Sequence, residues 1–212
     1  MRVMEKLYKH GYTLIKNAIP GDVLKDVYTR GLALKEKYKS RIGEVRHNGS
    51  GRFWPGLELS STLDPNLWKH YTAPFMHKIV CEALKTDTPY LFNDQMVIKL
   101  PGEDFDFKPH WDNEFGPDPA GAKKRDFTTI NFCWALTDMN VKNGTISCRS
   151  VDNGRWETIY AKAGDIIAID GNTLHKSEPN KSDKPRGVWA CVYADKEMDH
   201  TNAGFYTEKF KI

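Results

Sequence analysis

Residues Lys108-Pro109-His110-Trp111-Asp112 set a histidine and an aspartate two positions apart. In an extended segment alternate side chains share a face, so His110 and Asp112 point one way and Trp111 the other. The pair reads as a metal clamp, or as a polar bend ahead of a loop rich in glycine and proline. A second pattern lies 65 residues further on, where His175 is followed by Ser177 two positions later and by Arg186 eleven positions later. His175 and Ser177 share a face by the same alternation. The turn signal Asp170-Gly171-Asn172 predicts that the strands DIIAID and TLHKSE are joined tightly, with Arg186 opening the strand beside them.

Taken together, these residue types define a chemistry. Two imidazoles and one carboxylate on one face of an octahedral ion leave three positions open, the arrangement of non-haem Fe(II) oxygenases. Two open positions accept a 2-oxo acid as a chelate and the third accepts O2. A carboxylate at the far end of that acid calls for a planar bidentate donor, which arginine supplies and lysine does not.

The surrounding elements must hold these groups. Residues 2–9 predict a short helix and Tyr12–Lys16 a strand, and a longer helix opens at Asp22, an N-cap residue type. Gly31 interrupts that helix's apolar spacing. Asp64-Pro65 starts a further helical region that Pro74 divides. From residue 90 onward about nine short β-branched and aromatic runs alternate with turn residues, the last being GFYTEKF. The expected fold is mainly β, with an N-terminal α layer packed on one sheet of a double-stranded β-helix (jelly-roll) core. At 212 residues, one domain is expected, with 1–88 as helical support and 89–212 as the core.

The charge balance is even, with 31 Lys+Arg against 28 Asp+Glu and a net charge of +3. Interspersed charges of this kind suit a solvated surface and argue against a nucleic-acid partner. No apolar run approaches the length of a membrane span or a signal-peptide core. The cysteines Cys81, Cys133, Cys148 and Cys191 lack C-x-x-C spacing and read as free thiols in a cytoplasmic protein. A monomer or weak homo-oligomer is expected.

The H-x-D motif, the distal H-x-S and the arginine eleven residues beyond its histidine resemble the phytanoyl-CoA hydroxylase (PhyH) family of Fe(II)/2-oxoglutarate-dependent oxygenases. The Gly164-Asp165 turn, HKSEPNKS and the opening HGYTLIKNAIPGDVLKDV fit the same family, so the resemblance covers most of the chain. It implies Fe(II) at His110, Asp112 and His175, with 2-oxoglutarate anchored by Arg186 and Ser177. O2 would be consumed, succinate and CO2 released, and a C–H bond of a small-molecule substrate hydroxylated. The carboxylate of Asp112 speaks against halogenation, since related halogenases carry a small residue there. The chain departs from the family in having ISCRSVDNGRW where a run ending in Pro-Gly-Ser-His is usual, which points to an altered substrate pocket.

Further candidates follow by the same alternation. On YLFNDQMVIKL, Gln95 and Lys99 share a face and are cosubstrate candidates, although Lys99 also reads as a lysine snorkelling at a strand end. Asn131, in an apolar strand, needs a hydrogen-bond partner. The cosubstrate, an iron-bound water or the core itself would provide one. Arg52 and Trp54, in a glycine-rich loop, and Asn113 and Glu114, just after the metal aspartate, are candidate substrate contacts. Residues 114–126 have the chemistry of a flexible lid, with Lys123-Lys124-Arg125 as a solvated patch. Trp111 is expected to pack. Two other classes stay open at this point: a nucleic-acid or protein demethylase or hydroxylase of the same superfamily, and a non-enzymatic jelly-roll binding protein.

Overall fold

The computed structural model describes residues 2–38, 60–114 and 127–196. Helix α1 (Val3–His10) buries Met4 and Leu7 and stops at Gly11, whose φ of 82° suits glycine at a helix end. Strand β1 (Tyr12–Ile15) follows, and then α2 (Gly21–Lys37). That helix begins one residue before the expected position. Pro20 takes the cap position without a side-chain bond, and Asp22 falls inside the first turn, where its charge favours the positive end of the helix dipole. Gly31 has a packing reason: a Cβ there would lie 2.8 Å from Met96 Sδ, so its absence lets α2 sit close to the sheet.

The second helical region divides as the prolines require. The Asp64 side chain caps the 3-10 turn Pro65–Leu67 by accepting from Asn66 N at 3.0 Å. Helices α4 (Trp68–Tyr71) and α5 (Pro74–Leu84) follow, and a four-residue helix that the sequence did not signal, α3 (Ser60–Leu63), precedes them.

The β core begins with β2 (Tyr90–Lys99) and β3 (Phe107–His110), then β4 (Thr129–Ala135), β5 (Ile146–Arg149) and β6 (Trp156–Thr158). It closes with β7 (Ile166–Asp170), β8 (His175–Ser177) and β9 (Arg186–Ala194). GFYTEKF lies outside the described residues. Two antiparallel sheets result, one in the order β1-β7-β4-β9-β2 and the other β3-β8-β5-β6. The jelly-roll expectation is met, with one change. Strand β1 completes an edge of the larger sheet, so the N-terminal part does more than supply helical support.

Alternation along β4 explains the layers. Ile130, Phe132 and Trp134 join a core with Val27, Leu34, Tyr71 and Met76 from the helices. Cys133 and Ala135 point the other way and pack with Ile146, Cys148 and Ile167 between the sheets. Every β4 residue is buried, because both faces of the strand are covered.

Two expectations about connectivity change. Strands β7 and β8 belong to different sheets, so Asp170-Gly171-Asn172 turns the chain from one sheet to the other instead of closing a hairpin. Gly171 is required there for space, since a Cβ would overlap Thr129 Oγ1 and lie 2.6 Å from Asn113 Oδ1. Likewise β9, which carries Arg186, pairs with β4 and β2 and not with β8.

Candidate metal centre

The site forms where the smaller sheet opens. Strands β3 and β8 pair with His110 directly opposite His175, and the two rings lie 4.2 Å apart between centroids. Each Nδ1 faces a backbone carbonyl, Lys108 O at 2.6 Å for His110 and Thr173 O at 2.9 Å for His175. A carbonyl only accepts, so Nδ1 carries the proton in both rings and Nε2 keeps its lone pair for a metal. Asp112 Oδ1 lies 3.8 Å from His110 Nε2 and 3.5 Å from His175 Nε2. The three ligand atoms fall within 4.8 Å of one another. Two nitrogens and one carboxylate oxygen form a donor set that fits Fe(II) with positions to spare.

Strand alternation does not place Asp112. Strand β3 ends at His110, and Asp112 opens the 3-10 turn Asp112–Glu114. Trp111, expected to pack, is 38 % exposed for the same reason: the chain leaves the sheet there. Asn131 also takes a different role. Its Nδ2 donates to Asp112 Oδ2 at 2.8 Å and its Oδ1 accepts from Cys133 Sγ at 3.3 Å, so both ends of the amide have protein partners and one of them is the aspartate. Asn113 is buried: it accepts from Thr129 Oγ1 at 2.7 Å and donates to Asn172 Oδ1 at 2.8 Å, so its amide fastens the turn. Arg52, Trp54, the side chain of Glu114 and the segments 115–126 and 197–212 lie outside the described residues.

A second polar cluster sits between the sheets. Arg186, 2 % exposed, donates from Nη2 to Gly144 O at 2.9 Å and to Ser177 Oγ at 3.4 Å. Gly144 is needed as glycine: its φ is 73°, and a Cβ would overlap Glu178 O. Lys99 is fully buried and does not snorkel, its Nζ donating to Ser177 Oγ at 2.9 Å and Glu178 O at 2.6 Å. Burial pushes the Arg186 guanidinium down to about 10. Burial, and then the Arg186 charge, hold Lys99 well below the usual lysine range. The Arg186 Nε is buried without a hydrogen-bond partner. Ser177 Oγ receives both cations' donors, which directs its own proton elsewhere. Two buried cations, one orphaned N–H and a free hydroxyl proton match the carboxylate end of 2-oxoglutarate.

Burial varies along the paired strands β9 and β2. On β9 only Ala190 is less than buried, and its β2 neighbour Gln95 is half-buried too. Asn93, on the same face two residues earlier, is half-buried and pairs with Val192. Its row continues through Val192 to Asn131, the residue that holds Asp112. Neither Asn93 nor Gln95 makes a side-chain hydrogen bond among the described residues. Extending the period-two reading of β2 by two residues would have included Asn93. The departure segment ISCRSVDNGRW forms the β5–β6 hairpin, with Cys148 directly opposite His175 on β8 and Val151 N donating to His10 O. The cysteines are free, and burial pushes the Cys133 thiol up.

Over residues 7–149 and 147–188 the chain matches the phytanoyl-CoA dioxygenase (PhyH) family, and it belongs to that family. A curated phytanoyl-CoA dioxygenase of Arabidopsis thaliana is 30 % identical over 150 residues, 60 % of this chain and 52 % of that protein. The chain thus spans about half the length of this relative. Among solved structures, the non-heme α-ketoglutarate-dependent carbocyclase SnoK of nogalamycin biosynthesis superposes with a TM-score of 0.75 at 17 % identity, over 91 % of this chain and 83 % of that one. The epimerase SnoN, in complex with Fe3+, α-ketoglutarate and nogalamycin RO, superposes with a TM-score of 0.71 at 17 % identity, over 100 % and 94 %. Among the described residues no helix is long and apolar enough to cross a membrane.

Proposed function

We propose that this chain is an Fe(II)- and 2-oxoglutarate-dependent dioxygenase that hydroxylates an unactivated C–H bond of a small molecule. The observation that supports it best is the buried His110–Asp112–His175 triangle, in a fold whose interior also holds the unpaired Nε of Arg186. Bound Fe(II) supplies O2 activation, coupled to decarboxylation of 2-oxoglutarate to succinate and CO2. The chain's residues do the rest. His110, Asp112 and His175 hold the ion. Arg186 and Ser177 donate to the far carboxylate of the cosubstrate, and Lys99 adds a second positive charge behind Ser177. Gln95 and Ala190 line the space between, and Asn93, whose side chain makes no hydrogen bond among the described residues, offers its amide to the substrate. We take the one domain to span 1–212, acting as a monomer or weak homo-oligomer.

Relatives of this fold that invert a stereocentre or close a ring favour a second reading, in which the same cosubstrate turnover ends without oxygen in the product. Both readings predict a weak visible charge-transfer band when Fe(II) and 2-oxoglutarate are mixed anaerobically with the protein. His175→Ala should abolish it, and a full-strength band in that variant refutes the metal assignment. Product mass in a coupled assay separates the readings: hydroxylation adds one oxygen atom, whereas epimerisation leaves the mass unchanged and ring closure by C–H oxidation removes two hydrogens.

A further inference from the structure

Asp112 is the one metal-site residue outside the β ladder, since β3 stops at His110. Its carboxylate must be aimed by something else. One inward side chain of β4 supplies the aim: Asn131 bonds Asp112 at 2.8 Å, while Thr129 bonds the neighbouring turn residue Asn113 at 2.7 Å and does not touch the carboxylate. Neighbouring residues of the turn are thus fastened to positions two apart on one buried strand. The Asn131 contact is directional. A carboxylate only accepts, so the amide nitrogen faces Oδ2, and the Cys133 thiol holds the amide oxygen at 3.3 Å. Asn131 thereby occupies Oδ2 and leaves Oδ1 turned toward both histidine Nε2 atoms.

We infer that Asn131 is the positioning residue for the metal carboxylate, holding Asp112 as a one-oxygen ligand and keeping its second oxygen from the ion. The inference rests on the metal reading above and adds to it. With the amide gone, Oδ2 is free to rotate toward the metal, and the site loses its preset geometry. Partners of this kind beside a metal ligand change affinity by about 10–100-fold when removed.

The test uses Co(II) and Fe(II) as probes under anaerobic conditions, with binding titrated optically and the metal-free protein melted in parallel. Asn131→Ala should weaken Co(II) binding by about 10–100-fold and alter the intensity of the visible Co(II) bands. Thr129→Val, which frees Asn113 but spares the carboxylate contact, should keep affinity within about 3-fold, well under that range. Should Asn131→Ala not fold, Asn131→Ser, whose hydroxyl is too short to reach Oδ2, gives the same readout. The inference is overturned if the Asn131 variants bind Co(II) as tightly as the unmodified protein, or if Thr129→Val costs as much affinity. His175→Ala separates the two levels. Retained metal in that variant sinks the site itself, whereas loss there with full affinity in Asn131→Ala sinks only the role of Asn131.

Discussion

Arg186→Met tests whether this buried arginine serves an anion or the fold. In the cosubstrate-free protein, burial lowers its guanidinium from 12.5 to about 10, which at about 1.4 kcal/mol per unit is a penalty of about 3 kcal/mol. A methionine of similar length removes that penalty. It also leaves the Gly144 carbonyl without its 2.9 Å donor, at a cost of about 1–3 kcal/mol. The two effects oppose. The variant should therefore lie between unchanged stability and a gain of about 2 kcal/mol, a rise in Tm of at most about 8 °C for a chain of this size. Its response to ligand should differ sharply. Cosubstrate at about 100 times its Kd stabilises the unmodified protein by about 2.7 kcal/mol, raising Tm by about 5–10 °C. Arg186→Met should show no such rise. The assay is a thermal melt with Mn(II), with and without 2-oxoglutarate. A variant melting more than about 10 °C lower without ligand would make Arg186 a keystone of the fold. An intact ligand-induced rise would remove it from the cosubstrate site.

Lys99 carries a pH prediction. Its charged form is disfavoured by burial and by Arg186, with Asp106 and Glu178 opposing, so it loses its proton well below the usual lysine range. As pH rises through that value, affinity for 2-oxoglutarate should fall, because one of two cations near the anion is lost. Over the same window the metal-free protein should gain stability, because the cost of burying the charge disappears. Lys99→Met should bind about 10–100-fold more weakly at a pH low enough for Lys99 to hold its proton, with a flat profile up to about pH 10, where Arg186 begins to contribute. Calorimetric titration across pH checks this, and a pH-independent affinity in the unmodified protein contradicts it. Gly171→Ala should force Thr129 and Asn113 apart, costing about 1–3 kcal/mol of stability. A melt reads this cost, and an unchanged Tm would show that the turn yields freely.

Residue types and their spacing alone dictated the ligands and the layering. His110, Asp112 and His175 were legible because a metal demands two imidazoles and a carboxylate, and the chain carries those types at a spacing that strands can bring together. Eight of the nine expected strands appear among the described residues, because short β-branched and aromatic runs such as TTINFCWA, bounded by turn residues, are written directly into the sequence. Lys99 was placed on the correct face but not at the correct depth. Alternation gives the side of a sheet, and only the packing of β8 over β2 shows that no solvent reaches the ammonium. Partnerships across the two sheets belonged to the tertiary structure alone. The bond from Asn131 to Asp112 joins residues 19 apart in sequence, and Arg186 meets Gly144 across 42. No local periodicity records which strand lies opposite, since that depends on how the two sheets close on each other. The exposure of Trp111 follows from the same limit. Its sequence neighbours fix the direction of its side chain, but whether anything covers the indole is decided by where the chain leaves the sheet.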